Sequence, residues 1–360
     1  MQLKRGFGQS PGKPEAASKK PIDIPPKINI EEQTAQQLLR QGKLSEAEAI
    51  YKALIKQDPR NQGLHSLLGN IQSMRGDHFS AKISYIKALE INPNSPEILC
   101  DLGDSLRRLG DSKAAKLSYK KAIRFDIENL RAHYNLGLIS KAAGELNDAL
   151  SSFTTVAKLK PDLAEAHISI GAILHEQGQT TAAIASLKKA LSYQPNSAQA
   201  LSNLGNSLCN LGDLEAAVNA LQRAISIDPN YAEAHNNLGL ALQKTGNLSA
   251  AISSFETALH LKKMFPEALS NLGLTLQEKG EIKNAISSFN AALQLNPYLV
   301  EVKSNLAMAQ LLNGDYQQGL ENYEFRFSTK TGLNALLNKP KFSQWDGRDL
   351  KSGQKLLLIS

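Results

Sequence analysis

Apolar and small residues recur along this chain with a long period. Leu-Gly or Ile-Gly appears at Leu68-Gly69, Leu102-Gly103, Leu136-Gly137, Ile170-Gly171, Leu204-Gly205, Leu238-Gly239 and Leu272-Gly273, each pair 34 residues after the last. A second glycine keeps the same step at Gly42, Gly76, Gly110, Gly144, Gly178, Gly212, Gly246, Gly280 and Gly314. Five residues later comes an alanine (Ala47, Ala81, Ala115, Ala149, Ala183, Ala217, Ala251 and Ala285, with Gly319 in the ninth unit). Four residues after that stands a large apolar residue: Tyr51, Tyr85, Tyr119, Phe153, Leu187, Leu221, Phe255, Phe289 and Tyr323. Proline closes most units (Pro59, Pro93, Pro161, Pro195, Pro229, Pro297), with Ile127 and Lys263 in its place in two.

The pattern predicts two helices per unit. The first glycine lies mid-helix, where it costs roughly 1 kcal/mol relative to alanine, so close approach of the two helices is its expected reason. The second glycine ends the first helix, since a left-handed terminal residue suits glycine best. The alanine is expected to face the first helix, and the large residue to fill the gap between neighbouring units. Proline halts the second helix. One such unit cannot bury its apolar face alone, so the units must stack.

These residue types at these offsets resemble the tetratricopeptide repeat family, and the match runs over residues 28–333. The resemblance implies an all-α fold: a right-handed α-solenoid of about nine helix-turn-helix repeats. Both ends depart from the pattern as capping units do. Glu31 and Ala35 stand where later units have His or an apolar residue and then Gly, and Ala307 and Gly319 exchange the small residues of the last unit.

The flanks differ from the body. Residues 1–27 hold five prolines and many Lys and Ser, a composition that predicts a disordered basic tail. Residues 334–360 contain Trp345-Asp346-Gly347 and end on Lys355 followed by Leu356-Leu357-Leu358-Ile359, which reads as a linker and the first buried strand of an incomplete α/β domain. With the helix closing at Tyr323, Phe325, Arg326 and Phe327, this junction resembles bacterial glycosyltransferases that carry a repeat array ahead of a sugar-transferring domain. That resemblance implies a catalytic half beyond Ser360.

The net charge of +7 sits in the flanks. Residues 1–30 carry six basic side chains against two acidic, and residues 331–360 five against two, which leaves the body neutral. A nucleic-acid binder needs its positive charge on the folded surface, so no nucleic-acid partner is expected. No apolar run is long enough to span a bilayer and no secretory signal is evident; the expectation is a cytoplasmic protein with no membrane partner. Cys100 and Cys209 form neither a disulfide framework nor a metal cluster.

Within the repeat, His65, His133, His167 and His235 share the fourth position. No carboxylate or thiol recurs beside them to complete a metal site, so they read as structural, and neither metal nor cofactor is expected. The sixth position holds Asp101, Asn135, Ser169, Asn203, Asn237, Asn271 and Asn305. Stacking would align this column along an inner groove, where amides can pair with the N–H and C=O groups of an extended peptide. The column is similar to the asparagine ladder of the O-linked N-acetylglucosamine transferase repeat superhelix, which implies a peptide-holding role; Asp101 and Ser169 depart from it. Satisfaction of each amide by a neighbouring turn is the other reading of the same residues.

A carboxylate-binding clamp is disfavoured by Glu97, Glu165, Glu233, Glu267 and Glu301 in the second position. Arg107, Arg108 and Lys141 form a small basic spot. No nucleophile–base pair or phosphate-binding glycine loop appears, so no catalytic residue is assigned within these 360 residues. The sequence therefore points to a scaffold that binds another protein or peptide segment, with the substrate-recruiting arm of a glycosyltransferase as the alternative and the oligomeric state left open.

Overall fold

The computed structural model describes residues 30–323, and all of its elements are helices. The expected tail, linker and strand at 1–27 and 334–360 lie outside the described residues, as do the edges of the predicted array. The helices form nine hairpins, in two compact units that meet between Ile127 and Glu128.

The first unit holds α1 (Ile30–Arg40) with α2 (Leu44–Gln57), α3 (Gln62–Met74) with α4 (His78–Ile91), and α5 (Pro96–Arg108) with α6 (Ser112–Phe125). The second holds α7 (Leu130–Ala142) with α8 (Leu146–Leu159), α9 (Ala164–Glu176) with α10 (Thr180–Tyr193), and α11 (Ala198–Leu211) with α12 (Leu214–Ile227). It continues through α13 (Ala232–Lys244) with α14 (Leu248–Leu261), α15 (Pro266–Glu278) with α16 (Ile282–Leu295), and α17 (Val300–Asn313) with α18 (Tyr316–Tyr323). This is a tetratricopeptide-type solenoid, in which each hairpin packs on the next within its unit.

Local chemistry sets the helix ends. The turn glycine has a left-handed backbone in every hairpin, as at Gly76 (φ 81°) and Gly212 (φ 92°). The residue after it returns its N–H to the helix it leaves: Asp77 to Gln72 O at 2.9 Å, Asp111 to Leu106 O at 2.9 Å, Asn247 to Leu242 O at 3.0 Å. These bonds satisfy carbonyls that a helix end would otherwise orphan. The same residue often caps the second helix, where Asp77, Asp111, Asp213 and Asn247 each accept from the backbone N–H three residues on.

The mid-helix glycine is explained by the large residue sixteen positions later in its own hairpin. A Cβ built on Gly239 would lie 2.6 Å from the Phe255 ring, and one on Gly103 2.6 Å from Tyr119. Tyr51, Tyr85, Tyr119, Phe153, Leu187, Leu221, Phe255 and Phe289 are fully or almost fully buried. This residue packs toward the next hairpin as expected, Phe153 joining Ile170, Ile173 and Leu174, and it also lies on the glycine of its own hairpin. The alanine column has no exposed surface from Ala47 to Ala285. In the last hairpin the small residues trade places, and a Cβ on Gly319 would meet Leu311 at 2.7 Å.

Two substitutions separate the roles of the glycines. Gly239→Ala is expected to destabilise by about 1–3 kcal/mol through overpacking, and Gly246→Ala by about 1–2 kcal/mol through its left-handed backbone. In chemical denaturation, trimming Phe255 to Ala loses less in the Gly239→Ala background than in the wild type, and as much in the Gly246→Ala background.

Candidate functional site

In the second unit the first helices of successive hairpins touch directly, α9 with α11, α11 with α13, α13 with α15 and α15 with α17, while each second helix packs mainly against first helices. The first helices therefore line the inner face of this unit. Asn135, Ser169, Asn203, Asn237, Asn271 and Asn305 are all half-buried on them, as is Asp101 on α5 of the first unit.

Four side-chain bonds from first helix to first helix share one offset. Asn237 Nδ2 donates to Ser202 Oγ at 3.1 Å, and Asn271 Nδ2 to Asn236 Oδ1 at 3.0 Å. Gln243 Nε2 donates to Glu278 Oε2 at 3.0 Å, and Lys244 Nζ to the Cys209 carbonyl at 3.3 Å. Each pair is 35 residues apart, one more than the repeat. Position six of one helix thus meets position five of the helix before it, rather than its own equivalent. Ser202 is fully buried and Asn236 nearly so, so Asn237 and Asn271 each spend one amide hydrogen on satisfying the wall. No hydrogen-bond partner for Asn203 or Asn305 is found among the described residues.

A second polar cluster lies nearer the helix ends and was not singled out from the sequence. His175 Nε2 lies 3.2 Å from Asn206 Nδ2 and 3.3 Å from Asn210 Nδ2, and its Nδ1 lies 3.0 Å from Ser207 Oγ. Amide nitrogens only donate, so Nε2 accepts, and the proton resides on Nδ1, which donates to Ser207. Burial holds this imidazole below its ordinary pKa, against a smaller opposing pull from Glu176.

Three of the fourth-position histidines are tied to the backbone: His65, His167 and His235 each direct Nε2 at the carbonyl of the proline that closes the preceding repeat, Pro59, Pro161 and Pro229, at 3.0, 2.9 and 3.0 Å. His167 also stacks on Tyr193, with ring centroids 5.8 Å apart. In the second-position glutamate column Glu233 is opposed by Lys262 at 2.8 Å; burial is the largest single effect and raises its pKa, but the lysine bond, a backbone hydrogen bond and the lysine charge together hold it below the ordinary value. Lys141 of the expected basic spot pairs with Glu176 at 3.7 Å. Cys100 and Cys209 are buried and form no disulfide. No helix of the described residues is long and apolar enough to cross a membrane.

Stacked helical hairpins with these repeated contacts define a helical-repeat scaffold. The chain belongs to the tetratricopeptide repeat family. The model of the cilia and flagella-associated protein 70 C-terminal domain matches residues 118–330, more than half of the chain, and two tetratricopeptide repeat models match 84–116 and 33–96. No curated protein matches it by sequence.

Among solved structures it is similar to a tetratricopeptide repeat protein from Parabacteroides merdae (TM-score 0.59, 19% identity, 72% of this chain and 98% of that one). It is also similar to a chain of the Cut9–Hcn1 hetero-tetramer of the APC/C (TM-score 0.57, 19% identity, 79% of this chain) and spans 56% of that chain's length. A third likeness is to IFIT1 with m7Gppp-AAAA (TM-score 0.55, 16% identity, 77% of this chain and 81% of that one). At these identities the likenesses establish the fold.

Because His175 is held neutral in the folded state, it binds fewer protons there than in the unfolded chain below the ordinary imidazole pKa of about 6.5. Its contribution to stability is therefore complete above that value and is lost as the pH falls through it. His175→Gln is expected to flatten this part of the pH–stability curve, read by urea unfolding across the range.

Proposed function

We propose that the chain is a protein-binding scaffold that holds an extended polypeptide segment along the inner face of the second unit. The observation that carries this reading is the half-buried asparagine column at Asn135, Asn203, Asn237, Asn271 and Asn305, with Ser169 in the same register. A half-buried amide beside an apolar wall is costly to leave unmatched, and the amides of Asn203 and Asn305 suit the alternating N–H and C=O groups of an extended backbone. Binding through backbone groups tolerates many side-chain sequences. The exposed Glu165, Glu267 and Glu301 flank the column and favour a neutral or basic segment over an acidic one. The same carboxylates oppose nucleic-acid phosphates on this face. The sugar-transfer alternative rests on residues 334–360, outside the described part of the chain.

Asn203 and Asn305 make the discriminating test, because the protein itself does not use their amides among the described residues. The Asn203→Ala/Asn305→Ala variant is expected to keep wild-type thermal stability while losing about tenfold or more in affinity for peptides selected on the wild-type chain from a displayed library. Asn237→Ala, by contrast, strands the buried Ser202 hydroxyl and is expected to cost about 1 kcal/mol of stability as well. Unchanged peptide affinity in the double variant, with its fold intact, sinks the reading.

A further inference from the structure

The first unit contains a polar pocket that the groove reading leaves unused. It lies between the α3–α4 turn, which contributes Ser73, Gly76 and His78, and the last turns of α5, which contribute Asp104, Arg107 and Arg108. Its donors outnumber its acceptors. The Nε of Arg107 and the Nδ1 of His78 are enclosed and have no hydrogen-bond partner. Arg108 is exposed at the rim. Asp104 is the acid in the lining, and it accepts the Tyr119 hydroxyl. Burial, reinforced by that carboxylate, keeps the Tyr119 phenol well above its ordinary pKa, so the bond to Asp104 persists at neutral pH. Asp77, which adjoins His78 at the start of α4, is likewise engaged as the cap of that helix, accepting from Ser80 N at 3.0 Å.

The sequence columns show that this combination is peculiar to one place in the chain. At the repeat positions of Arg107 and Arg108, the hairpins of the second unit carry Lys141 and Ala142, His175 and Glu176, Cys209 and Asn210, Gln243 and Lys244, Gln277 and Glu278, and Leu311 and Leu312. Paired arginines therefore belong to α5, and the histidine that faces them belongs to α4. Packing within the repeat does not require either, since the other hairpins fold without them.

We infer that this pocket receives a phosphoryl group, one carried on a side chain of a bound protein segment. Two guanidinium groups offer planar N–H forks suited to an oxyanion, that of Arg107 standing beside the Tyr119 hydroxyl and that of Arg108 exposed at the rim. A phosphomonoester supplies about two negative charges and three acceptor oxygens at once. That charge and number of acceptors suit a pair of guanidinium groups better than a carboxylate does, which has two oxygens and one charge. The backbone N–H groups of the first turn of α4 add the positive end of a helix on the side of His78. This site is in the first unit and is argued from other residues than the asparagine column, so either proposal can fail without the other.

The test uses the full chain, titrated by calorimetry and by NMR of the histidine rings with inorganic phosphate, O-phosphoserine, acetate, and a serine peptide with and without its phosphate. The expected result is saturable phosphate binding that shifts the His78 ring resonances. Affinity should fall by about tenfold or more in both Arg107→Gln and Arg108→Ala, and acetate should bind much more weakly. Arg108 is exposed, so its variant tests the site without disturbing the packing around α5. Tighter binding of the phosphopeptide than of free phosphate supports a protein source for the group; equal binding overturns that part and leaves a small-anion site. Non-saturable binding, wild-type affinity in a folded Arg108→Ala variant, or acetate binding as well as phosphate overturns the inference altogether.

Discussion

The contact on which the rest of this protein depends is a missing side chain. In hairpin after hairpin a ring or a leucine of the second helix rests on the bare Cα of a first-helix glycine, in space where a single methyl group would collide. That contact sets the distance between the two helices, and with it the surface each hairpin presents to the next. It also explains why the alanine column of the second helix is fully buried: two helices drawn this close leave room for nothing larger. The last hairpin obeys the same constraint in reverse, with Ala307 on the first helix and the bare position moved to Gly319 on the second.

With the spacing fixed by shared residues, individuality is left to positions that do not pack. The two units use that freedom differently. In the second, the inner face is a neutral amide surface edged by carboxylates, whose side chains tie one first helix to the next. In the first, basic groups gather around a pocket at the mouth of a turn. Polar groups on a scaffold wall must be satisfied by one another or by a ligand, because a half-buried donor without a partner is expensive. Asn237 and Asn271 are partly satisfied within the wall, while Asn203 and the Arg107 Nε have no hydrogen-bond partner among the described residues.

Much of this was legible in the amino-acid order. A period held in phase by several residue types fixes helix number, turn position and the burial of Tyr51, Phe153 or Phe255, because each follows from contacts inside one hairpin. The left-handed glycines and the fourth-position histidines were readable for the same reason, their partners being only a few residues away. What could not be read was the registration between hairpins. It depends on how far each hairpin rotates against its neighbour, and a repeat length says nothing about rotation. The position-six column was therefore recognisable as a column, but its bonding to Ser202 and Asn236 in the position-five column was not. The His175 cluster was hidden for the same reason: His175, Asn206 and Asn210 occupy three different columns. Arg107 and Arg108 stood out as a basic spot, while His78, which completes their pocket, lies across a turn in the preceding hairpin.

The one-residue excess of the cross-links over the repeat has a genetic corollary. An array grows when a stretch of DNA encoding a whole number of units is copied in tandem, and the copied protein keeps its glycine–ring contacts intact because both members lie within one unit. The amide and hydroxyl that bond across a boundary lie on separate units, so every new junction brings together a donor and an acceptor that were never selected side by side. Lengthening such a chain is thus structurally cheap, whereas each fresh seam must be retuned by later point mutation.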